Sequence, residues 1–489
     1  MPTLTTRRCV LSQTIEDCTA LANNDPTALG FAGAGNVFNC HGAKLVNCSI
    51  LRCHANYVGG LDVQRALLEM VGGIVAACSS STEAGGFAVS GEARLVLVHV
   101  LVSECQSRLP NPIQKGGGGI YVRGNGIVQM SGGAIRGCQA LTAYGGGLRC
   151  EGTSLVQLRS VTVQGCAARK GGAISTSAEG SDVSLIDVNI EDCVSSAEVV
   201  NSRSRLHAER VRVVRFGPGR AAMLVSGSST WSNCTFSDGT WADHPVAFGG
   251  AIDVYGGRHT FTRTAVLRSK GLYAGGLVLY SGFAIMLDSR IADCSGTQSG
   301  CIRAEGGVLI LRNSMLSNCS ASKIAAHPYI SFTKPEAATT FESELLALEP
   351  SCEADPSIAL IGIINEAVNV TLKVRGLRVL SPAACASSTN LSVFSDHVRP
   401  LDCSDGNDVV CGAAASCTDV QPLPASPALT TVNCSCQGEF FPNPKATSLA
   451  LAPYGFDPTT IGLPGPPIDY CVRCGTWLEP TCTAAFCFY

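Results

Sequence analysis

Cysteine has the most chemistry to offer in this chain, and its spacing limits what that chemistry can be. There are 26 cysteines in 489 residues. Cys53, Cys78, Cys105, Cys138, Cys166 and Cys193 recur at a near-regular interval. A metal reading fails, because a straight column of one ligand type cannot close a tetrahedron. In successive layers of a parallel sheet their Cα atoms would lie about 4.8 Å apart, inside the disulfide range. In-register strands nevertheless hold Cβ atoms further apart than the ~3.8 Å that a disulfide prefers. A buried thiol ladder is therefore favoured over vertical disulfides. Cys471-x-x-Cys474, followed by Cys482 and Cys487, has ribbon-like spacing that would suit zinc in a cytosolic protein.

Polysaccharide cleavage needs carboxylates clustered on one face, either to hold Ca²⁺ or as an acid–base pair. The outward positions after the glycine pairs read Tyr121, Arg149, Ile174, Val278 and Arg303, then Arg123, Glu151, Thr176, Tyr280 and Glu305. No neighbouring layers stack carboxylates there. Asp182, Asp187 and Asp192 fall within one repeat, and His41 is alone. There is no Gly-x-Ser-x-Gly and no His-Glu-x-x-His. No catalytic residue, metal ligand or cofactor is assigned. The glycine runs 116–119 and 145–147 lack the Gly-Lys-Ser/Thr of a phosphate cradle and read as turns requiring positive φ.

Two binding surfaces remain. The first is the run Arg203, Arg205, Arg210, Arg212, Arg215 and Arg220. Aligning the repeats sets Arg210 over Asp187 and Arg215 over Asp192, so most of the charge cancels. Arg205 and Arg212 are left as contacts for an anionic glycan. The second is aromatic. Trp241, Phe248 and Tyr280 lie near a long turn and could serve as platforms for a sugar ring or a partner protein. Ile252, Val254, Val278 and Tyr280 would extend them as an outward apolar stripe. The competing reading has the turn fold back over that stripe.

The element that must position all of these is a repeat. A Gly-Gly pair opens a short apolar strand, and a second strand closes on cysteine, roughly every 25 residues. Between them apolar residues alternate with polar ones, as in Val188, Ile190 and Cys193 around Asn189. Period two excludes helical repeats. The unit is too short for a propeller blade of roughly 40 residues. The expected fold is all-β, a right-handed parallel β-helix solenoid of eleven or twelve coils, each depending on its neighbours.

Gly-Gly-Ala-Ile stands intact at Gly171 and at Gly249, and Phe236-Ser237-Asp238-Gly239 precedes the second. This resembles the polymorphic outer-membrane-protein repeat within the wider pectin-lyase-like class. The resemblance covers about 1–330 and implies a β-helix and, for some members, a passenger domain exported across an outer membrane. Cysteine replaces the family's usual asparagine here. Residues 331–357 read as an insertion or linker with one short helix, 358–400 as a last coil, and 401–489 as a cysteine-rich module. Cys403, Cys411, Cys417, Cys434, Cys436 and Cys471 resemble an EGF-like framework, which implies disulfides and makes them the better reading of the later cysteines as well.

Net charge is −3, without the basic field that nucleic-acid binding uses. No run of about 18 apolar residues offers a membrane span. The first residues lack an apolar signal core, yet the cysteine usage is that of a secreted protein. Asn-x-Ser/Thr occurs at Asn47, Asn233, Asn318, Asn369, Asn390 and Asn433, the last three being the preferred glycosylation candidates. A chain lacking its true N-terminus would reconcile these signals. The expected protein is secreted or at the cell surface, non-catalytic, and structural, adhesive or recognitional, with a glycan or protein ligand. The alternative is a polysaccharide lyase or glycoside hydrolase.

Overall fold

In a computed structural model, the protein is a parallel β-solenoid of about ten coils, with no helix among the described residues. These are residues 14–20, 32–108, 116–176, 180–217, 221–240 and 250–321, followed by a series of short strands up to 473. The all-β solenoid is the fold expected, with about ten coils where eleven or twelve are expected. The chain divides into two units, 1–259 and 260–489.

Coils in the middle of the first unit have four short strands. One coil runs Leu148–Cys150, Leu155–Arg159, Thr162–Gln164 and Ala167–Lys170. The next runs Ile174–Thr176, Asp182–Ile186, Asn189–Glu191 and Val194–Ser195. Each strand pairs in parallel with its counterpart one coil on: Leu148 with Ile174, Val156 with Val183, Val163 with Ile190. The alternation in sequence thus becomes an inner column of fully buried Val, Leu and Ile. Each such side chain stabilises by about 1.5–3 kcal/mol on burial.

The corners between strands take left-handed backbone at residues that are not glycine. Asp187, Asp192, Arg210 and Arg215 have φ of 55°, 53°, 52° and 50°. These corners stack, and their side chains meet. Arg210 Nε donates to Asp187 Oδ1 at 2.5 Å, and Arg215 Nε to Asp192 Oδ1 at 2.7 Å, so the expected pairs form. The glycine pairs have a different reason from the one expected. Gly171 does have positive φ, but Gly147 and Gly172 do not. They are glycine because the coil above comes too close. A Cβ on Gly147 would lie 2.7 Å from the Ala173 carbonyl oxygen, and one on Gly172 2.3 Å from that of Val194.

The cysteine column is buried and its thiols are free. Each thiol points at backbone carbonyls. Cys166 Sγ lies 3.6 Å from the Gln164 oxygen and 3.7 Å from that of Ile135 in the preceding coil. Burial raises the thiols of Cys138 and Cys234, the latter to about 11.

In the second unit, Leu277–Leu279, Ile302–Ala304 and Ile330–Thr333 stack in parallel. Where an insertion with a short helix is expected, the chain instead forms strands. Thr339–Glu344 pairs with Gly307–Arg312, and Ala347–Glu349 with Met315–Ser317. Cys301 and Cys319 form a disulfide, a pair the sequence reading missed. The signal was present. Cys301 replaces the second glycine of its pair, and a Cβ on the equivalent Gly86 or Gly147 would lie 3.5 Å from the sulfur of Cys105 or Cys166. Further on, Ala415–Val420 and Leu429–Cys436 pair antiparallel, with Cys417 opposite Cys434 and Cys436 opposite Ala415. Cys471 stands opposite Pro442. Cys403 and Cys411 lie outside the described residues.

Candidate functional site

Polar chemistry gathers where the solenoid reads least like one. In most strands one face is exposed. In Ile120–Val122, Leu148–Cys150 and Ile174–Thr176 every residue is buried. Register carries one column through these strands: Asp62, Ala88, Tyr121, Arg149, Ser175 and Asn201. Apolar residues flank the column and fill the interior, so by alternation the column faces outward. The turn residues Ala32, Val58 and Ala84 pack with Ala88 and Tyr121, and Tyr57 lies against them.

Burying charge demands partners. Tyr121 Oη donates to Glu151 Oε2 at 2.7 Å, and Arg149 Nη2 donates to Glu151 Oε1. Arg149 also stacks on rings, its guanidinium carbon 4.7 Å from the Tyr144 centroid and 5.8 Å from that of Tyr121. Lys170 Nζ is 6.0 Å from the Tyr144 ring. Arg123 Nη1 donates to Glu83, and Gln64 Nε2 to Asp62 Oδ2 at 2.6 Å. Burial lifts Glu83 to about 7 against the pull of Arg123, with Asp62 and Glu151 adding to the rise. Burial also raises Asp62 and the phenol of Tyr121. Asp62 Oδ1 and Arg149 Nε and Nη1 have no hydrogen-bond partner.

The second unit repeats the device. Arg303, 8% exposed, lies 4.0 Å over the Tyr273 ring. Its Nη2 meets Glu305 Oε1 at 2.7 Å, and its Nη1 donates to Gln298.

Tyr121, Arg123, Arg149, Glu151, Arg303 and Glu305 were expected on this face. Ile174 and Thr176 were not placed correctly: Arg149 pairs with Ser175, so both lie on the inner side of that strand. Asp62, Glu83 and Tyr144 were missed. Acidic groups do converge here, because Glu83 reaches in from a turn. Asp62 was legible, since it follows Gly60 by the same two residues that separate Tyr121 from Gly119 and Arg149 from Gly147.

Trp241 and Phe248 lie outside the described residues. The apolar stripe needs correction. Ile252 and Val254 are fully buried and flank Asp253, which continues the outward column through Leu224. Tyr280 is half-buried after Leu277–Leu279. Arg205, expected to lack a partner, comes within 3.9 Å of Asp182 because the two are register partners. Arg212 stands between Asn189 and Thr235. Asn369 and Asn390 lie outside the described residues, and Asn433 is within Leu429–Cys436. Asn47, Asn233 and Asn318 are exposed at left-handed corners, with φ of 50°, 53° and 47°. Among the described residues no three His, Cys, Asp or Glu side chains form a metal cluster, and no helix is long and apolar enough to cross a membrane.

Compared with protein-family models, curated proteins and solved structures, the chain matches none. The parallel β-solenoid is the level at which its class is defined.

Proposed function

We propose that the protein is a non-catalytic recognition protein, secreted or at the cell surface, and that its outward polar column binds a glycan. One observation carries this reading. Both units set a buried Arg-x-Glu pair against tyrosine rings, at Arg149–Glu151 and at Arg303–Glu305. A planar polar pair beside an aromatic face suits a sugar, which offers hydroxyls at its edge and C–H bonds on its face. The solenoid is a rigid scaffold for such a surface, consistent with surface and structural proteins. The resemblance to the polymorphic outer-membrane-protein repeat, and of the cysteine-rich module to EGF-like domains, supports the same compartment. Trp241, Phe248 and Tyr280 remain proposed as further sugar platforms, and Arg205 and Arg212 as anion contacts.

Glu83 favours a second reading, a polysaccharide lyase or hydrolase. A carboxyl titrating at about 7 is poised for general acid–base work. One experiment separates the two. The full chain is screened on a glycan array for binding, and on the same glycans for new reducing ends and unsaturated products. Binding without turnover is expected. Turnover that Glu83→Gln abolishes would make the protein an enzyme, and silence in both screens would remove the glycan reading.

A further inference from the structure

We infer that the outer sheet face of the second unit, centred on Ile285 and Ile310, is an interface with a second copy of this chain, the two faces packing against each other antiparallel. The glycan reading above plays no part in it.

Two strands break the pattern that orders the rest of the sheet. In the first unit, Asp182–Ile186 turns Asp182 and Ser184 outward, and Arg205–Glu209 turns Arg205, His207 and Glu209 outward. Phe283–Leu287 and Gly307–Arg312 instead read Phe-Ala-Ile-Met-Leu and Gly-Val-Leu-Ile-Leu-Arg. Ala284, Met286, Leu309 and Leu311 are buried in the interior. Alternation therefore turns Phe283, Ile285, Leu287, Val308 and Ile310 outward. An unbroken apolar run is the pattern of a strand covered on both faces. Yet this outer face is as open as that of Asp182–Ile186. Phe283 is 46% exposed, and the other four are half-buried, as Ser184 is. Register joins the five into one patch, with Phe283 beside Val308 and Ile285 beside Ile310. A contiguous apolar patch on a sheet whose neighbouring strands are polar marks a contact surface.

The charges on either side of the patch point to a second copy. Arg263 and Arg268 stand at exposed corners one coil before it, their amides donating to Leu287 and Ala292. Glu342 and Glu344 lie one coil beyond it, as register partners of Ile310 and Arg312. The face thus runs from basic through apolar to acidic. Turned over on itself about a two-fold axis along the strands, it meets its own complement. Ile285 of one copy then faces Ile310 of the other, and Phe283 faces Val308. Asp288, at the corner after Leu287, comes beside Arg312, and Arg263 comes over Glu344. A parallel arrangement would set arginine on arginine and glutamate on glutamate. Sheets stack face to face about 10 Å apart, and four coils by five residues span about 19 Å by 17 Å. That is well short of the ~800 Å² that each partner gives to a stable complex. The dimer is therefore weak and reversible.

Sedimentation velocity of the full chain from about 1 to 200 µM reads the assembly. The wild type is expected to be monomeric at the low end and dimeric at the high end. Ile310→Lys sets a charge at the centre of the patch, on the side that the interior does not use. It should weaken association about a hundredfold, with an unchanged circular dichroism spectrum. Arg263→Glu and Glu344→Arg should each weaken it about tenfold. The two together should restore it, a rescue that a folding defect does not give. A wild type that stays monomeric would leave this face to a different partner and overturn the inference. A dimer indifferent to Ile310→Lys would overturn it as well. A dimer lost in Ile310→Lys but unmoved by either charge reversal would overturn the antiparallel arrangement.

Discussion

Tyr121 and Arg149, register partners in successive coils, close on one carboxylate: Glu151 accepts from the Tyr121 hydroxyl at 2.7 Å through Oε2 and from Arg149 Nη2 through Oε1. All three are buried. Removing the shared acceptor strands a cation and a hydroxyl together. Glu151→Ala should therefore cost about 3–5 kcal/mol, the usual consequence of orphaning a buried charge. Tyr121→Phe removes one donor and leaves the ion pair whole, and should cost about 1 kcal/mol. Urea unfolding of the two variants, read by circular dichroism, checks the order. Equal losses would mean that Glu151 does not join the two coils.

Glu83 makes stability depend on pH in the unusual direction. Its carboxyl titrates at about 7 in the folded protein, well above the range of an unfolded glutamate. Between those values the folded state holds a proton that the unfolded state has released. Stability from this group is therefore full below the unfolded value and declines as pH rises through about 7. Asp187 and Asp192 act oppositely. Their partners Arg210 and Arg215 lower both carboxyls, so their contribution is present above the unfolded value and is lost as pH falls below it. Glu83→Gln should flatten the decline of midpoint urea concentration between pH 5 and 7.5 and leave the acid limb unchanged. An unaltered slope would place the titration elsewhere.

The solenoid was legible because its signal is redundant. Val163, Ile190 and their counterparts repeat one pattern coil after coil, and Asp187–Arg210 follows once the repeats are aligned. The site was half legible for the opposite reason. Arg149 lies on a strand, and Glu151 just after it, whose period of two sets both on the outer face, whereas Glu83 comes from a bend and Tyr144 ends the strand Gln139–Tyr144, in the stretch whose length varies between coils. Ser175 shows how little error is needed, since a slip of one residue put Ile174 on the wrong face. The glycines mislead differently. Sequence reports that a side chain is forbidden, and only the neighbouring backbone says whether torsion or crowding forbids it.

Three buried thiols, Cys138, Cys234 and Cys294, should be inert in the folded protein. The thiolate is the reactive form, and burial raises Cys138, Cys234 and Cys294, the last to about 12. Brief iodoacetamide labelling followed by peptide mapping should leave these three unmodified, with complete labelling in urea. Cys18, partly exposed, should label first among the described free thiols. Fast native labelling of Cys138 would contradict the buried column.

Gly147 and Gly165 separate the two reasons for glycine in one coil. Gly165 has φ of 63°, but a Cβ there meets nothing closer than 3.9 Å. Gly165→Ala should cost about 1 kcal/mol, the penalty for a left-handed residue with a side chain. Asp192 takes the same backbone one coil on, so the corner tolerates the change. Gly147 has ordinary φ, yet a Cβ would lie 2.7 Å from the Ala173 oxygen and 3.1 Å from Val163 Cγ1. Neither neighbour can move without opening the stack, because the Gly147 and Leu148 amides both donate to that carbonyl. Gly147→Ala should therefore cost more, about 2–3 kcal/mol, as overpacking does in a tight interior. Thermal unfolding of the two variants decides it. If Gly165→Ala is the more damaging, torsion rather than the close approach of coils explains why the pairs are glycine.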